Sequence, residues 1–163
     1  MLSTIRIKSD ILDKEDNHVT LKYKDEDDYD YIYQGEINES NELHGYGKLW
    51  NSDYSYHGYF KSNKLCGKGT LSFTGNTNEL NNNFSVTYEG EFSNNKKNGH
   101  GLEIYKNNEY YEGYFLNDFR HGKGILYNPN GIPKFDSFWE LGRSVNTEEI
   151  TEFYPNGNIK YKG

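Results

Sequence analysis

Around the middle of the chain, Tyr88, Gly90 and Phe92 alternate with Glu89 and Glu91, the period-two signature of a half-buried β-strand. Ser93 to Asn98 is rich in turn formers, Gly101-Leu-Glu-Ile-Tyr105 reads as a second strand, and Lys106-Asn-Asn108 turns into Tyr110-Tyr111. The stretch predicts a β-hairpin, and the pattern beyond it predicts an antiparallel meander.

That unit recurs. It reads Tyr33-Gln-Gly35-Glu-Ile37, Tyr56-His-Gly58-Tyr-Phe60, Tyr88-Glu-Gly90-Glu-Phe92 and Tyr111-Glu-Gly113-Tyr-Phe115. Each copy is followed by a glycine pair: Gly45-Tyr-Gly47, Gly67-Lys-Gly69, Gly99-His-Gly101 and Gly122-Lys-Gly124. Such periodicity marks an array, which builds an extended surface rather than a pocket. Glycine inside a strand weakens it unless something uses the space. Gly35, Gly58, Gly90 and Gly113 are therefore expected to let aromatic rings lie across the backbone, and the Gly-x-Gly pairs to open the second strands. Tyr33, Tyr56, Tyr88 and Tyr111 should form one column, with Ile37, Phe60, Phe92 and Phe115 beside it on the same face. Most of that face is read as core and part of it as a partner surface. Complete burial would shift the surface to Tyr59 and Tyr114 on the other face.

The motif resembles the MORN (membrane occupation and recognition nexus) repeat, with its Tyr-Glu-Gly-Glu-Trp start, Asn-Gly-Lys turn and His-Gly-x-Gly close. Tyr88-Glu89-Gly90-Glu91-Phe92 with Asn95-Lys96, and His121-Gly122-Lys123-Gly124, carry the likeness nearly residue for residue. The resemblance divides the chain into capping strands with an acidic turn (1–32), four repeats (33–55, 56–87 with an inserted loop at 75–83, 88–110, 111–133) and degenerate repeats (134–163). In the last part Phe135-Asp-Ser137-Phe-Trp139 keeps the aromatic positions but replaces the glycine with serine. The expected fold is all-β: an elongated, single-layer antiparallel meander of repeated hairpins, ten to fourteen strands, with little or no helix. The resemblance implies a scaffold that binds a protein partner. It also brings two alternatives: peripheral attachment to membranes or phosphoinositides, and regulation of a separate enzyme such as a kinase or methyltransferase. Extended dimers are a further implication, here through the C-terminal edge at Tyr161-Lys162-Gly163, where unpaired strand groups invite pairing and Lys160 and Lys162 oppose it.

Composition narrows this picture. Only 33% of the 163 residues are hydrophobic, yet 17% are aromatic, led by 16 Tyr. A thin sheet lined by rings with wet hydroxyls reconciles the two values. The absence of alanine disfavours long helices. A net charge of -7 argues against nucleic acid as a partner. Lys96-Lys97, Lys106 and Arg120 are too scattered for a polybasic membrane site. One cysteine, Cys66, excludes an internal disulfide and fits a reducing, cytoplasmic compartment, with the periphery of a membrane or of the cytoskeleton as the alternative. Val19 to Tyr23 and Ile5-Arg-Ile7 alternate like strands, and Asp25 to Asp30 lacks the sharp-turn glycine of a calcium loop.

No catalytic, cofactor or metal site is expected. The Gly-x-Gly pairs lack the third glycine and strand-to-helix setting of a phosphate cradle. Glu89, Glu91 and Glu112 read as solubilising side chains on a wet face. His44, Cys66, Asn98 and His121 occupy one column, but equivalent residues of successive hairpins stand roughly 9.5 Å apart. Zinc at about 2.1 Å from each ligand needs them closer, so His44 and His121 are expected to hydrogen-bond the hairpin loops and Cys66 to fill space.

Overall fold

Two-residue turns set the rhythm of the chain. Ser62-Asn63, Asn94-Asn95, Asn117-Asp118 and Leu141-Gly142 each place two consecutive residues at positive φ. That geometry matches the right-handed twist of the strands it joins, and Asn, Asp and Gly tolerate it best. A second set of turns is held by asparagine side chains. Asn51 Oδ1 accepts from the backbone N–H of Asp53 and Tyr54, Asn107 Oδ1 from Glu109, and Asn130 Oδ1 from Ile132.

The computed structural model describes residues 9–15, 18–24, 29–76, 84–145 and 151–162. Among these residues every regular element is a strand, and every strand pairs antiparallel. The all-β hairpin meander expected from the sequence is thus what forms. The chain falls into two units, Met1–Asn76 with Phe92–Asn95, and Thr77–Glu91 with Lys96–Gly163. In the first, β1 (Ser9–Glu15), β2 (His18–Lys24), β3 (Asp30–Ile37), β4 (Leu43–Trp50), β5 (Tyr54–Lys61) and β6 (Lys64–Phe73) lie side by side in chain order. In the second, β7 (Ser85–Ser93), β8 (Lys96–Tyr105), β9 (Tyr110–Leu116), β10 (Phe119–Tyr127) and β11 (Pro133–Glu140) do the same. β11 then pairs with both β12 (Arg143–Val145) and β13 (Thr151–Phe153), and β13 with β14 (Ile159–Lys162).

One expectation changes, and one strand lies beyond those expected. The loop read at Ser93 to Asn98 shrinks to Asn94-Asn95, because two residues suffice for a positive-φ turn; Lys96 already belongs to β8. The first described strand is Ser9–Glu15, whose Ile11 and Leu12 are both exposed, so pairing with β2 rather than apolar burial places it. Ile5-Arg-Ile7, the acidic residues 25–28 and most of the inserted loop (77–83) lie outside the described residues.

Cross-strand register aligns the glycines into two rows. In the first unit Gly35, Gly47, Gly58 and Gly69 pair in succession. In the second Gly101, Gly113 and Gly124 do so, with Gly90 against Gly101, and Ser137 continues the row beyond Gly124. The first glycine of each Gly-x-Gly pair plays a different part. Gly45, Gly67, Gly99 and Gly122 sit inside their strands at positive φ, and registers shift beside three of them as bulges. They re-aim the strands rather than open them.

Candidate partner-binding faces

Tyr33, Tyr56, Tyr88 and Tyr111 each lie flat over the glycine row, their hydroxyls donating to the carbonyl three residues on. The acceptors are Glu36, Tyr59, Glu91 and Tyr114, at 2.7–3.3 Å. The rings interlock edge to face with the second aromatic column. Phe60 stands 5.1 Å from Tyr33 and 5.2 Å from Tyr56, which also meets Phe92. Phe115 stands 5.0 Å from Tyr88 and 5.4 Å from Tyr111, and Trp139 takes the next place against Tyr111. All seven predicted rings are at most 4% exposed. The seven rings offer no surface, because the glycine row lets the tyrosines lie down and seal the face that the sequence reading had partly opened to a partner; Ile37, the aliphatic member of the second column, is half-buried. Burial pushes the hydroxyls of Tyr33, Tyr56 and Tyr88 well above the ordinary phenol value, and that of Tyr111 up to about 12.

The fifth copy keeps this device with different atoms. Phe135 holds the tyrosine place and has no hydroxyl. Ser137, at the glycine place, is buried and donates from Oγ to the Phe138 carbonyl at 3.1 Å. Phe138 is the third residue after Phe135, so the same acceptor is satisfied by the other side chain.

A buried polar cluster in the second unit escaped the sequence reading. Glu103 points to the aromatic face and is paired with Tyr111. Its carboxylate meets Lys97 Nζ, the Tyr105 hydroxyl and Arg120 Nε, the last at 3.8 Å. Arg120 also donates to the Tyr105 hydroxyl and lies over the rings of Tyr111 (4.5 Å) and Trp139 (4.7 Å). Burial by itself would raise the Glu103 carboxyl. Lys97, Tyr105 and Arg120 outweigh it and hold the group below the usual carboxylate range. Aligning the repeats on their glycines exposes the signal: two places after Gly47, Gly69, Gly101 and Gly124 stand Leu49, Leu71, Glu103 and Leu126. Two places before Gly45, Gly67, Gly99 and Gly122 stand Leu43, Leu65, Lys97 and Arg120. The second unit therefore exchanges leucines for an ion cluster.

The opposite face is the open one. In the first unit Tyr46 and Tyr59 pair across β4 and β5 with ring centroids 5.2 Å apart, and His57 stands 4.8 Å from Tyr46. Tyr46 is 45% and Tyr59 50% exposed. Lys48 covers the Trp50 ring at 5.0 Å. In the second unit His100 pairs with Tyr114 (5.4 Å), which is 54% exposed. Glu112 is flanked by Leu102 and Ile125, and Tyr110 stacks on Tyr127 at 4.7 Å. Tyr59 and Tyr114 thus sit where the alternative reading puts them, while Tyr46 was missed because its Gly-x-Gly setting drew attention to the glycines.

Other candidates contribute little. Glu89, Glu91 and Glu112 are exposed on this outer face. His44 is exposed, and His121 buries Nδ1 without a hydrogen-bond partner, so neither histidine secures a loop as expected. Burial raises the Cys66 thiol. A groove of about 420 Å³ at the C-terminal strands is lined by Leu126, Phe135, Phe153 and Pro155 with Lys134 and Lys160. Glu109 and Glu152 already hold those two lysines. Among the described residues no helix is long and apolar enough to cross a membrane.

Hairpins of this length, with a tyrosine laid over paired glycines in each, define a tandem-repeat β-protein. The MORN repeat profile matches residues 33–55, 56–77, 88–110 and 111–132, over half of the chain, and the protein belongs to that family. A protein of Plasmodium berghei (strain Anka) named an inactive protein tyrosine kinase, pTKL, is 31% identical over 84 residues. The match takes in 45% of this chain and 6% of that relative.

Proposed function

We propose that this MORN-repeat protein is a non-enzymatic scaffold that binds a protein partner through its outer sheet face. The observation that carries the reading is the exposed Tyr46–Tyr59 ring pair, on a face whose opposite side has committed its rings to packing. Tyrosines offer large rigid contact area at low entropy cost and are enriched at interfaces. A photo-crosslinking amino acid at Tyr59 or Tyr114, introduced in host cells, should capture a discrete protein. The same group at the solvent-exposed turn residue Asn108 should not. Capture from both places alike, or lipid alone at the face, overturns this reading.

A second reading has one observation in its favour. The matched stretch of the Plasmodium berghei relative belongs to a protein named as an inactive tyrosine kinase. On this reading the repeats regulate a separate enzyme. It requires that crosslinking at Tyr59 or Tyr114 capture an enzyme, and that Tyr59→Ala alter that enzyme's activity.

A further inference from the structure

The first unit concentrates positive charge on three adjacent strands. β4, β5 and β6 carry Lys48, Lys61, Lys64 and Lys68 and no acid, in a chain of net charge -7. Glu36 on the neighbouring β3 turns its carboxylate to the Tyr46 backbone N–H at 3.1 Å. Among the described residues no carboxylate pairs with Lys48, Lys61 or Lys68.

Register arranges these charges around the open rings. Along β5 the outward residues are His57, Tyr59 and Lys61, all exposed. Lys48 on β4 stands opposite His57, Tyr46 opposite Tyr59, and Lys64 on β6 opposite Lys61. Lys48 Nζ lies over the Trp50 ring at 5.0 Å, and Lys64 Nζ reaches Asn94 Oδ1 at 3.4 Å. The face is therefore basic, then aromatic, then basic along the strand direction. Its two basic ends are four strand residues apart, about 13 Å. An extended peptide also turns every second side chain to one side. A sequence of the form acid–x–ring–x–acid matches the face step for step, with a carboxylate over each basic end and its ring on Tyr46 and Tyr59.

We propose that the outer face of β4 to β6 binds an extended acidic segment of a partner protein, with two carboxylates four residues apart on either side of an aromatic residue. The lysines, at the rim, govern approach and register, while the packed rings exclude water at the centre. Opposed charge also selects against basic segments. A long nucleic acid or an anionic membrane extends beyond this patch and meets the rest of a chain whose net charge is -7. A segment of five residues stays among the lysines. This inference names the partner chemistry of the proposed scaffold and rests on its outer face being a protein-binding one.

The test is fluorescence anisotropy of the full chain with a labelled peptide, Gly-Ser-Glu-Ser-Phe-Ser-Glu-Ser-Gly. The parent should bind it, and more weakly as salt is raised. Lys48→Glu/Lys61→Glu, at two exposed positions, should weaken binding by about tenfold or more, with circular dichroism checking that the variant folds. The isomer Gly-Ser-Ser-Glu-Phe-Glu-Ser-Ser-Gly has the same composition and charge but turns its carboxylates away from the face when its ring is down, so it should bind more weakly. A peptide with lysine at both glutamate places should not bind. Equal binding by the glutamate variant, or of the isomer or the lysine peptide, overturns the proposal. So does a parent that fails to bind at millimolar peptide; capture of a protein at Tyr59 would then still support the scaffold reading. Oligothymidylate or phosphatidylserine vesicles that bind more tightly than the peptide, and lose binding in the same variant, assign the patch to nucleic acid or lipid and overturn it too.

Discussion

A Cβ placed on Gly113 would lie 2.5 Å from the Tyr111 hydroxyl and 2.6 Å from the Gly124 Cα. No side chain fits there while the tyrosine lies over the backbone. Ser137 fits its equivalent place because Phe135 ends at the ring, and the serine then serves the carbonyl that the tyrosine hydroxyl serves elsewhere. The two positions should be exchangeable as a pair and not singly. Gly113→Ser is expected to cost about 1–3 kcal/mol as an overpacked site. Tyr111→Phe leaves the Tyr114 carbonyl without its donor, at about 1–3 kcal/mol. The double variant should recover much of the sum, seen as a favourable coupling in a double-mutant cycle followed by urea denaturation. Simple additivity would show that the two side chains do not compete for one space.

Among the elements, β8 and β10 differ from their counterparts β4 and β6 by the ion cluster. Removing one member of a buried pair strands the others, whereas replacing the whole set with apolar residues is often neutral or stabilising. Glu103→Leu should therefore cost about 3–5 kcal/mol, with Lys97 and Arg120 left beside aromatic rings. The triple variant Lys97→Leu/Glu103→Leu/Arg120→Leu copies Leu65, Leu49 and Leu43 of the first unit and should melt within a few degrees of the parent. A triple variant as unstable as the single one would mean that the charges carry more than their own pairing. Much of this scale was legible in the sequence. The hairpins followed from alternation at Tyr88 to Phe92, and the glycine rows from the recurring motif. Glu103 was not, since a glutamate between Leu102 and Ile104 reads as the wet side of a strand, whereas Glu103 turns inward with Gly101 and Tyr105 and leaves the two aliphatic residues outside. Nor were the short turns, because runs such as Ser93 to Asn98 are polar throughout and do not show which two residues take positive φ. Which ring columns are covered also depended on how far a tyrosine lies down, a matter of tertiary packing.

At the scale of the molecule, acid and alkali act on different groups. The buried tyrosines have folded values above the ordinary phenol value of about 10. Their contribution is complete below that value and is lost as pH rises through the folded values. Ionisation read at the tyrosinate absorbance should include a late step, in which the buried four ionise only as the fold is lost. A single titration step that leaves the circular dichroism unchanged would contradict the burial. Glu103 works in the other direction. Its folded value is depressed, so its contribution is complete above the ordinary carboxylate value and lost as pH falls through the folded one. Glu42 in the first unit is also held low, by Asn38, but it is exposed and weighs less.

The chain has two tryptophans, and the fold assigns one to each unit: Trp50 beneath Lys48 and Trp139 beneath Arg120. Each indole is thus a built-in optical reporter for its own half, with a cation above it to make its emission sensitive to local opening. Trp50→Phe leaves the second half visible, and Trp139→Phe, which installs the residue found at Phe60, Phe92 and Phe115, leaves the first. Acid should be seen first by Trp139, whose overlying arginine belongs to the cluster that Glu103 holds together. Should Trp50 respond at the same pH, the two halves would be losing their structure as one cooperative body, and the chain would carry its stability as a single shared quantity rather than as two local ones.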